Sequence, residues 1–242
     1  MNESSAWSNW SGSVTATPAS LETPATVEAL RSVIQTSPGP LRVRGAGHSF
    51  TPLVATSGTI ISLDRLAGLK SHVPEKNQAT FAAGTRLGDL TTALEGIGQA
   101  LANMGDIDRQ SIAGALGTAT HGTGSELGAY HTIVDRLELV DGRGETRSYD
   151  RARHGEILDA IGVTLGAFGV LTDVTLNNLP SYRLKKRRWA IPLGDMLDSF
   201  DPMMTAHRSA EFFVVPHSGH AIFVASDLTD QPATQRPPES DE

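Results

Sequence analysis

Leu41-Arg42-Val43-Arg44-Gly45-Ala46-Gly47-His48-Ser49-Phe50 is the stretch on which the reading of the whole chain turns. Its first four residues read as a short β-strand that stops where Gly45-Ala46-Gly47 begins. Two glycines around an alanine let the backbone turn sharply and approach a ligand closely. Successive N–H groups in such a turn form a nest for an anion, typically a phosphate. His48 stands at the mouth of that turn, and a plain glycine-rich turn with a surface histidine is the alternative. The Gly-Lys-Ser/Thr of a Walker loop is absent, and so is the third glycine of a Rossmann fingerprint.

The second informative stretch is Gly105-Asp106-Ile107-Asp108-Arg109-Gln110-Ser111-Ile112-Ala113-Gly114-Ala115-Leu116-Gly117-Thr118-Ala119-Thr120-His121-Gly122-Thr123-Gly124. From Ser111 to Gly124 almost every residue is small and none is an acid, a lysine or an arginine. Small residues with Ser and Thr hydroxyls suit a large flat ligand lying against bare backbone. A tightly packed core helix or a flexible loop would also use small residues. Ile112 and Leu116, four apart, need burial and argue against flexibility.

Around these segments the pattern is of mixed short elements. A helix is expected over Thr23–Ser37, with Thr23 as cap and Pro24 at its first position. Strands are expected at Leu41–Arg44, Thr59–Leu63 and Ala79–Ala83, and a helix on Leu87, Leu90, Leu94 and Ile97 that ends at Gly98. Ile133–Val140 and Glu145–Tyr149 read as a hairpin turned by Asp141-Gly142. A short helix follows at Glu156–Ile161, then a strand from Val170 with Val170, Thr172, Val174 and Leu176 on one side. A seam falls near Pro180. Beyond it come a basic strand over Arg183–Ile191, a helix over Leu193–His207, and a hairpin of Glu211–Val215 with Ala221–Ser226. Short strands and helices with antiparallel hairpins indicate an α+β fold rather than a doubly wound parallel sheet.

Composition excludes several functions. The chain has 242 residues, enough for a substantial core, and a formal net charge of −7, which argues against a nucleic-acid surface. With Cys 0 there is no disulfide, thiolate zinc site, iron–sulfur cluster or thiol nucleophile. No apolar run reaches the roughly 18 residues of a membrane span, and the polar N-terminus does not read as a secretory signal, so the cytoplasm is the expected compartment. No Gly-x-Ser-x-Gly elbow supports a serine hydrolase. His217 and His220 lack a neighbouring third ligand and read as a solvated turn. Lys185-Lys186-Arg187-Arg188 reads as a guarded strand edge; contact with anionic lipid heads, a peripheral membrane association, is the second reading. Asp230–Glu242, with three prolines and four acids, reads as a disordered tail.

Trp7-Ser8-Asn9-Trp10-Ser11-Gly12, Arg44–Phe50, Gly105–Gly124, Gly166-Ala167-Phe168-Gly169-Val170 and Glu211-Phe212-Phe213 with Pro216 occur in that order. Over about Trp7 to Asp227 the pattern resembles the sugar-1,4-lactone and alditol oxidoreductases of the vanillyl-alcohol-oxidase flavoprotein superfamily, a group that includes gulonolactone and arabinonolactone oxidases. The resemblance implies a PCMH-type FAD-binding domain of two small α+β subdomains at 18–180, between an N-terminal segment at 1–17 and the start of a substrate-binding cap domain at 181–228, with a tail at 229–242. It implies FAD as cofactor. Arg44, Gly45, Ala46, Gly47, His48, Ser49 and Phe50 would cradle the pyrophosphate. Gly105, Asp106, Ser111, Gly114, Gly117, Thr118, His121, Gly122, Thr123 and Gly124 would line the ring and diphosphate, and Val170 would meet the adenine end. In much of the family the residue matching His48 carries the flavin covalently at 8α; Ser111 matches a residue near flavin and substrate. The implied reaction is hydride transfer from a CH–OH group of a small polyol or sugar lactone to flavin N5. Relatives are longer, and the substrate-polarising residues of their second domain have no match here. A truncated FAD-binding module, or one half of a split enzyme that associates with a partner chain or with itself, is therefore the alternative expectation.

Overall fold

The computed structural model describes residues 6–163 and 165–234. Its elements are β1 (Trp7–Ser8), β2 (Thr15–Ala16), β3 (Ser20–Glu22), α1 (Val27–Thr36), β4 (Leu41–Arg44), β5 (Thr59–Ser62), β6 (Leu69–Val73), β7 (Gln78–Ala82), α2 (Leu87–Gly96), β8 (Gln99–Ala100), α3 (Ile112–Gly117), β9 (Val134–Val140), β10 (Thr146–Asp150), α4 (Arg151–Ile161), β11 (Val170–Asn177), β12 (Leu179–Pro180), β13 (Leu184–Pro192), α5 (Leu193–Asp198), α6 (Phe200–Thr205), β14 (Ser209–Val215) and β15 (His220–Leu228). The described residues form two compact units. One holds everything up to Gly122 together with Gly128–Pro180; the other holds Thr123–Leu127 and the residues from Ser181 onward. The part of the expected tail from 235 onward lies outside the described residues. No helix among the described residues is long and apolar enough to cross a membrane.

The first unit is mixed α and β with two cores. A parallel sheet in the order β3-β5-β4 packs under α1. Leu30, Ile34, Ile61, Leu63, Val140 and Val170 fill that core. An antiparallel sheet in the order β10-β9-β11-β7-β6 forms the second, where Phe81, Leu137, Val174 and Leu176 meet Leu87, Leu90 and Leu94 of α2 and Ile112 and Leu116 of α3. The central strands β9 and β11 therefore serve both cores. On β9 this is simple alternation, because Leu137 and Leu139 face one side and Val140 the other. On β11 the register shifts between Leu171 and Asp173, and the extra residue turns Val170 to the side opposite Val174 and Leu176. The four residues expected on one side of this strand are thus divided, because a bulge cannot be read from alternation.

Other local differences have equally simple causes. Helix α1 begins at Val27, not near Thr23, because Thr26 is the cap: its hydroxyl accepts from Ala29 N at 3.1 Å. The turn after β9 is longer than Asp141-Gly142. Asp141 accepts from the N–H groups of Arg143 and Glu145, and the left-handed residue is Gly144 at φ 78°. Those hydrogen bonds, Glu145 N–H foremost, hold the Asp141 carboxyl below its ordinary pKa against the opposing effect of burial. The helix expected over 193–207 is two short ones, α5 and α6, separated at Ser199. Pro202 has no N–H to give the carbonyl four residues back, so one continuous helix would lose a bond there.

The second unit is an antiparallel sheet, β13-β15-β14, with α5 and α6 on one face. Phe223, Ala221, Ala225, Ala210 and Met196 are its buried centre. Asp227 ties it together by accepting from His207 Nδ1 at 2.9 Å, Arg187 Nη2 at 2.9 Å and Arg208 N at 3.2 Å. Burial works to raise the Asp227 pKa, but these three donors outweigh it and hold the carboxyl below its ordinary value.

Gly142→Ala, with open space where the Cβ would stand, should leave stability unchanged or raise it by up to about 1 kcal/mol. Gly144→Ala should lower it by about 1–2 kcal/mol, the cost of a left-handed non-glycine residue. Urea unfolding of both variants checks the pair. A lowered folded-state pKa makes the Asp227 contribution complete above the ordinary aspartate value of about 4 and lost as pH falls through the lowered one. Asp227→Asn should therefore destabilise the second unit at pH 6 and cost progressively less on acidification, read by urea melts at each pH.

Candidate functional site

Strand β4 delivers the glycine-rich turn to the N-terminus of α3. A Cβ built on Gly45 would lie 2.0 Å from Ser111 Oγ and 3.8 Å from Gly114 Cα, so only a glycine allows this approach. Ser111 is almost fully buried and caps α3, its Oγ accepting from Gly114 N at 3.3 Å. The residues before it run beside the β7–α2 turn: Leu87 N donates to Gln110 O, Gly88 N to Asp108 O and Ile112 N to Thr85 O, each at 2.9 Å. The two segments singled out in the sequence thus meet. Between them and the start of α2 opens a pocket of about 360 Å³ lined by Ala46, His48, Arg86, Gly88, Asp89, Asp108 and Arg109.

The walls of this pocket are of mixed charge. Arg86 and Arg44 share one carboxylate, Asp64, which Arg44 Nη2 reaches at 2.9 Å and Arg86 Nη2 at 2.5 Å; Ser62 Oγ also donates to it, at 2.7 Å. Both arginines are thereby fixed in direction while staying about one-third exposed. Gly47 stands at φ 75°, and the place a Cβ would take is uncrowded: Asn9 Cα and Trp7 Cζ2 come no nearer than 3.9 Å to it. The β1–β2 hairpin turn grips the loop from outside. Trp10 N donates to Gly47 O at 3.0 Å, Asn9 Nδ2 donates to Ser49 O at 3.0 Å, and the Trp10 ring stacks on His48 with centroids 5.2 Å apart.

On α3, Gly114 and Gly117 lie one turn apart and present no Cβ; nothing stands within 4 Å of where one would be at Gly117. Thr118 Oγ1 donates back to Gly114 O at 2.9 Å and lies 3.4 Å from Thr120 Oγ1. The stretch of chain at 103–105 packs on 120–122: a Cβ on Gly122 would lie 2.2 Å from Asn103 Oδ1, and Gly105 N donates to the buried Tyr130 hydroxyl at 3.4 Å. Burial pushes the Tyr130 phenol up, against the Gly105 N–H.

Other expected site residues lie apart from the pocket. Asp106, Phe50 and His121 are exposed, the last with Nδ1 2.8 Å from Gly122 O, and Ser49 Oγ is 2.9 Å from Thr51 Oγ1. Val170 is buried in the α1 core and paired with Val140. Thr123 and Gly124, which the sequence joins to the small-residue segment, group with the second unit, where Thr123 Oγ1 bonds Ser209 Oγ and Gly124 packs against the Arg208 carbonyl. Arg86, Gly88 and Asp89 line the pocket without having been expected there. A glycine in the first turn of a helix, disfavoured by propensity, is the signal that points to them.

The family described as an FAD binding domain matches residues 18–150, and the family described as D-arabinono-1,4-lactone oxidase matches residues 174–242. The chain is 33% identical over 228 residues to an L-gulono-1,4-lactone dehydrogenase of Mycobacterium tuberculosis, covering 93% of this chain and 53% of that protein. It is 27% identical to an L-gulonolactone oxidase of Scyliorhinus torazame, covering 93% and 52%. It is 28% identical to a D-arabinono-1,4-lactone oxidase of Saccharomyces cerevisiae, covering 91% and 43%. The chain spans about half the length of the curated relatives it matches. The fold is that of a cholesterol oxidase from Brevibacterium sterolicum, with a TM-score of 0.83 at 21% identity over 94% of this chain and 48% of that one.

The Gly45–Ser111 approach can be tested by a double-mutant cycle. Gly45→Ala should cost about 2–3 kcal/mol. In a Ser111→Gly background, where hydroxyl and Cβ are gone, the same change should cost at least about 1 kcal/mol less. Equal costs in both backgrounds would show that the two residues do not compete for one space.

Proposed function

The chain belongs to the family of FAD binding domains, and from that membership we propose that it binds FAD and acts as an oxidoreductase on CH–OH groups of small sugar lactones or alditols. The observation that carries the proposal is the meeting of the glycine turn with the N-terminus of α3 beside one pocket. The residues present fit such a group. Ala46 and His48 of the turn line the pocket beside Arg86, Arg44 and Arg86 are held in place by Asp64, and the space beside Gly117 of α3 is open.

In this reading residues 44–50 and the arginines hold the diphosphate, by backbone N–H groups and positive charge. The α3 face at Gly117, with Thr118 and Thr120, lies along the flat ring system; Gly105, Asp106, His121 and Gly122 are assigned further cofactor contacts, and the Val170 backbone the adenine end. Bound FAD supplies the hydride acceptor, flavin N5, for a carbinol carbon of the substrate. Ser111, assigned to the flavin and substrate side, acts from behind the surface: buried, with its oxygen accepting from Gly114 N, it fixes the start of α3. His48 is assigned as the covalent attachment residue. A neutral imidazole nitrogen is a competent nucleophile near neutral pH.

Turnover of aldonolactones or alditols by the flavin-loaded chain tests the proposed activity.

The purified chain should be yellow, and acid precipitation should carry the colour into the pellet. In His48→Ala the colour should move to the supernatant. Colour retained in the His48→Ala pellet would remove His48 as the attachment residue. A chain that stays colourless with added FAD would overturn the proposal altogether.

A further inference from the structure

Trp7 and Asn9 of the β1–β2 hairpin and its turn are buried, but neither belongs to either core cluster of the first unit; the hydrogen bonds of the turn go to the loop around His48. The two carbonyls flanking His48 are both occupied by the hairpin turn: Gly47 O accepts from Trp10 N and Ser49 O from Asn9 Nδ2, each at 3.0 Å. Asn9 is itself locked, with only 4% of its surface exposed, its Oδ1 accepting from Val14 N at 3.0 Å and its Nδ2 donating also to Ser13 Oγ at 3.1 Å. The His48 backbone is thus pinned on either side by one rigid turn.

The side chain is held by a different contact. The Trp10 ring lies over the His48 imidazole at 5.2 Å between centroids and 28° between planes, while the Phe50 ring meets Trp10 edge-on at 5.9 Å and 71°. Trp10 is 58% exposed and Phe50 67% exposed. Burial therefore accounts for little of their position. The contact that holds the imidazole plane is the stack itself, one ring on the histidine and the other bracing it. The imidazole lines the pocket, so a ring that fixes its plane fixes the direction in which its nitrogens face.

We propose that the N-terminal hairpin is a positioning device for His48, with Trp10 setting the plane of the imidazole for attack on a flavin methyl carbon. This rests on the reading of His48 as the attachment residue. Attachment forms a bond from an imidazole nitrogen to the 8α carbon and breaks one 8α C–H bond and the imidazole N–H. The two electrons and two hydrogens go to the flavin ring, and dioxygen then takes them and is reduced to hydrogen peroxide. Trp10 touches none of the reacting atoms; it acts through His48. Loss of one ring's orientation is the kind of change that slows an oriented reaction by about tenfold to a hundredfold.

The test uses the full chain in four forms: wild type, Trp10→Ala, Trp10→Phe and His48→Ala. Without FAD, the His48 ring protons are followed by NMR, assigned by their absence in His48→Ala. With saturating FAD, total bound flavin is read from absorbance and attached flavin from the acid pellet over time. The expected result is that Trp10→Ala moves the His48 ring resonances downfield, as the stacked indole no longer shields them. It should bind FAD to the same total extent and attach it about tenfold or more slowly, with Trp10→Phe restoring most of the rate. Because Trp10 is largely exposed, its removal should leave the melting temperature within a few degrees of wild type. Unmoved His48 resonances, or a wild-type attachment rate in Trp10→Ala, overturns the proposal. If wild type attaches no flavin, or His48→Ala attaches it, the attachment reading itself fails and takes with it the use assigned to the clamp, whatever the resonances do.

Discussion

A side chain at position 45 has no room, because Ser111 Oγ stands where its first atom would be. This exclusion joins the two cores of the first unit at their most sensitive point. Gly45 follows directly from β4, in the sheet under α1, and Ser111 caps α3, whose Ile112 and Leu116 are buried in the core of the antiparallel sheet. The same serine is therefore the start of one helix and the wall against which one turn packs. Backbone pairing reinforces it: Ala113 N donates to Ala83 O, and Ala83 N to Thr172 O at the bulge of β11. The bulge that divides β11 between the cores is thus in direct contact with the strand end that positions α3.

The electrostatic frame has a similar economy. One carboxylate, Asp64, aims two arginines from different elements, one on β4 and one at the start of α2. Each pair alone, about one-third exposed, contributes little to stability. Its value lies in direction, since a guanidinium held by one carboxylate oxygen keeps its remaining donors oriented. The bridging acid also lowers the net positive charge of the site, so backbone N–H groups must supply part of any anion binding.

Much of the fold is legible in the sequence because burial imposes a period. Strands β4, β5 and β7, the β9–β10 and β14–β15 hairpins and helix α2 follow their apolar spacing. Strand β6 leaves no such trace, because Lys70, Ser71 and His72 lie exposed on a sheet edge and carry no apolar alternation. The bulge at β11 is illegible for the opposite reason: Val170, Thr172, Val174 and Leu176 are all buried, and an insertion of one residue leaves no mark in so continuous a pattern. At the site, the glycine turn and the small-residue segment announce themselves by composition. Arg86 and Asp64 do not, since their meaning depends on a partner 22 residues away. Trp10 stands out in the sequence only as part of a motif; its place over His48 comes from the hairpin, which has two residues per strand and no periodicity to detect.

The 24 glycines can be sorted by what surrounds them, and the sorting bears on function more than their number does. At Gly45 and Gly122 the missing Cβ is replaced by protein: Ser111 fills one place and Asn103 the other. Such glycines are required by the packing of the chain against itself, and they would be there whether or not anything bound. At Gly117 nothing occupies the space, and at Gly114 only the capping hydroxyl comes near. Gly114 sits inside α3, where a helix interior disfavours glycine by about 1 kcal/mol relative to alanine, and Gly117 is the helix's last residue, with no neighbour that requires it. Packing therefore explains Gly45 and Gly114, whose Cα lies 3.8 Å from where a Cβ on Gly45 would stand, and leaves Gly117 as the glycine of that segment that no neighbour requires. The proposed flavin ring, lying against that end of α3, is what would use the open space.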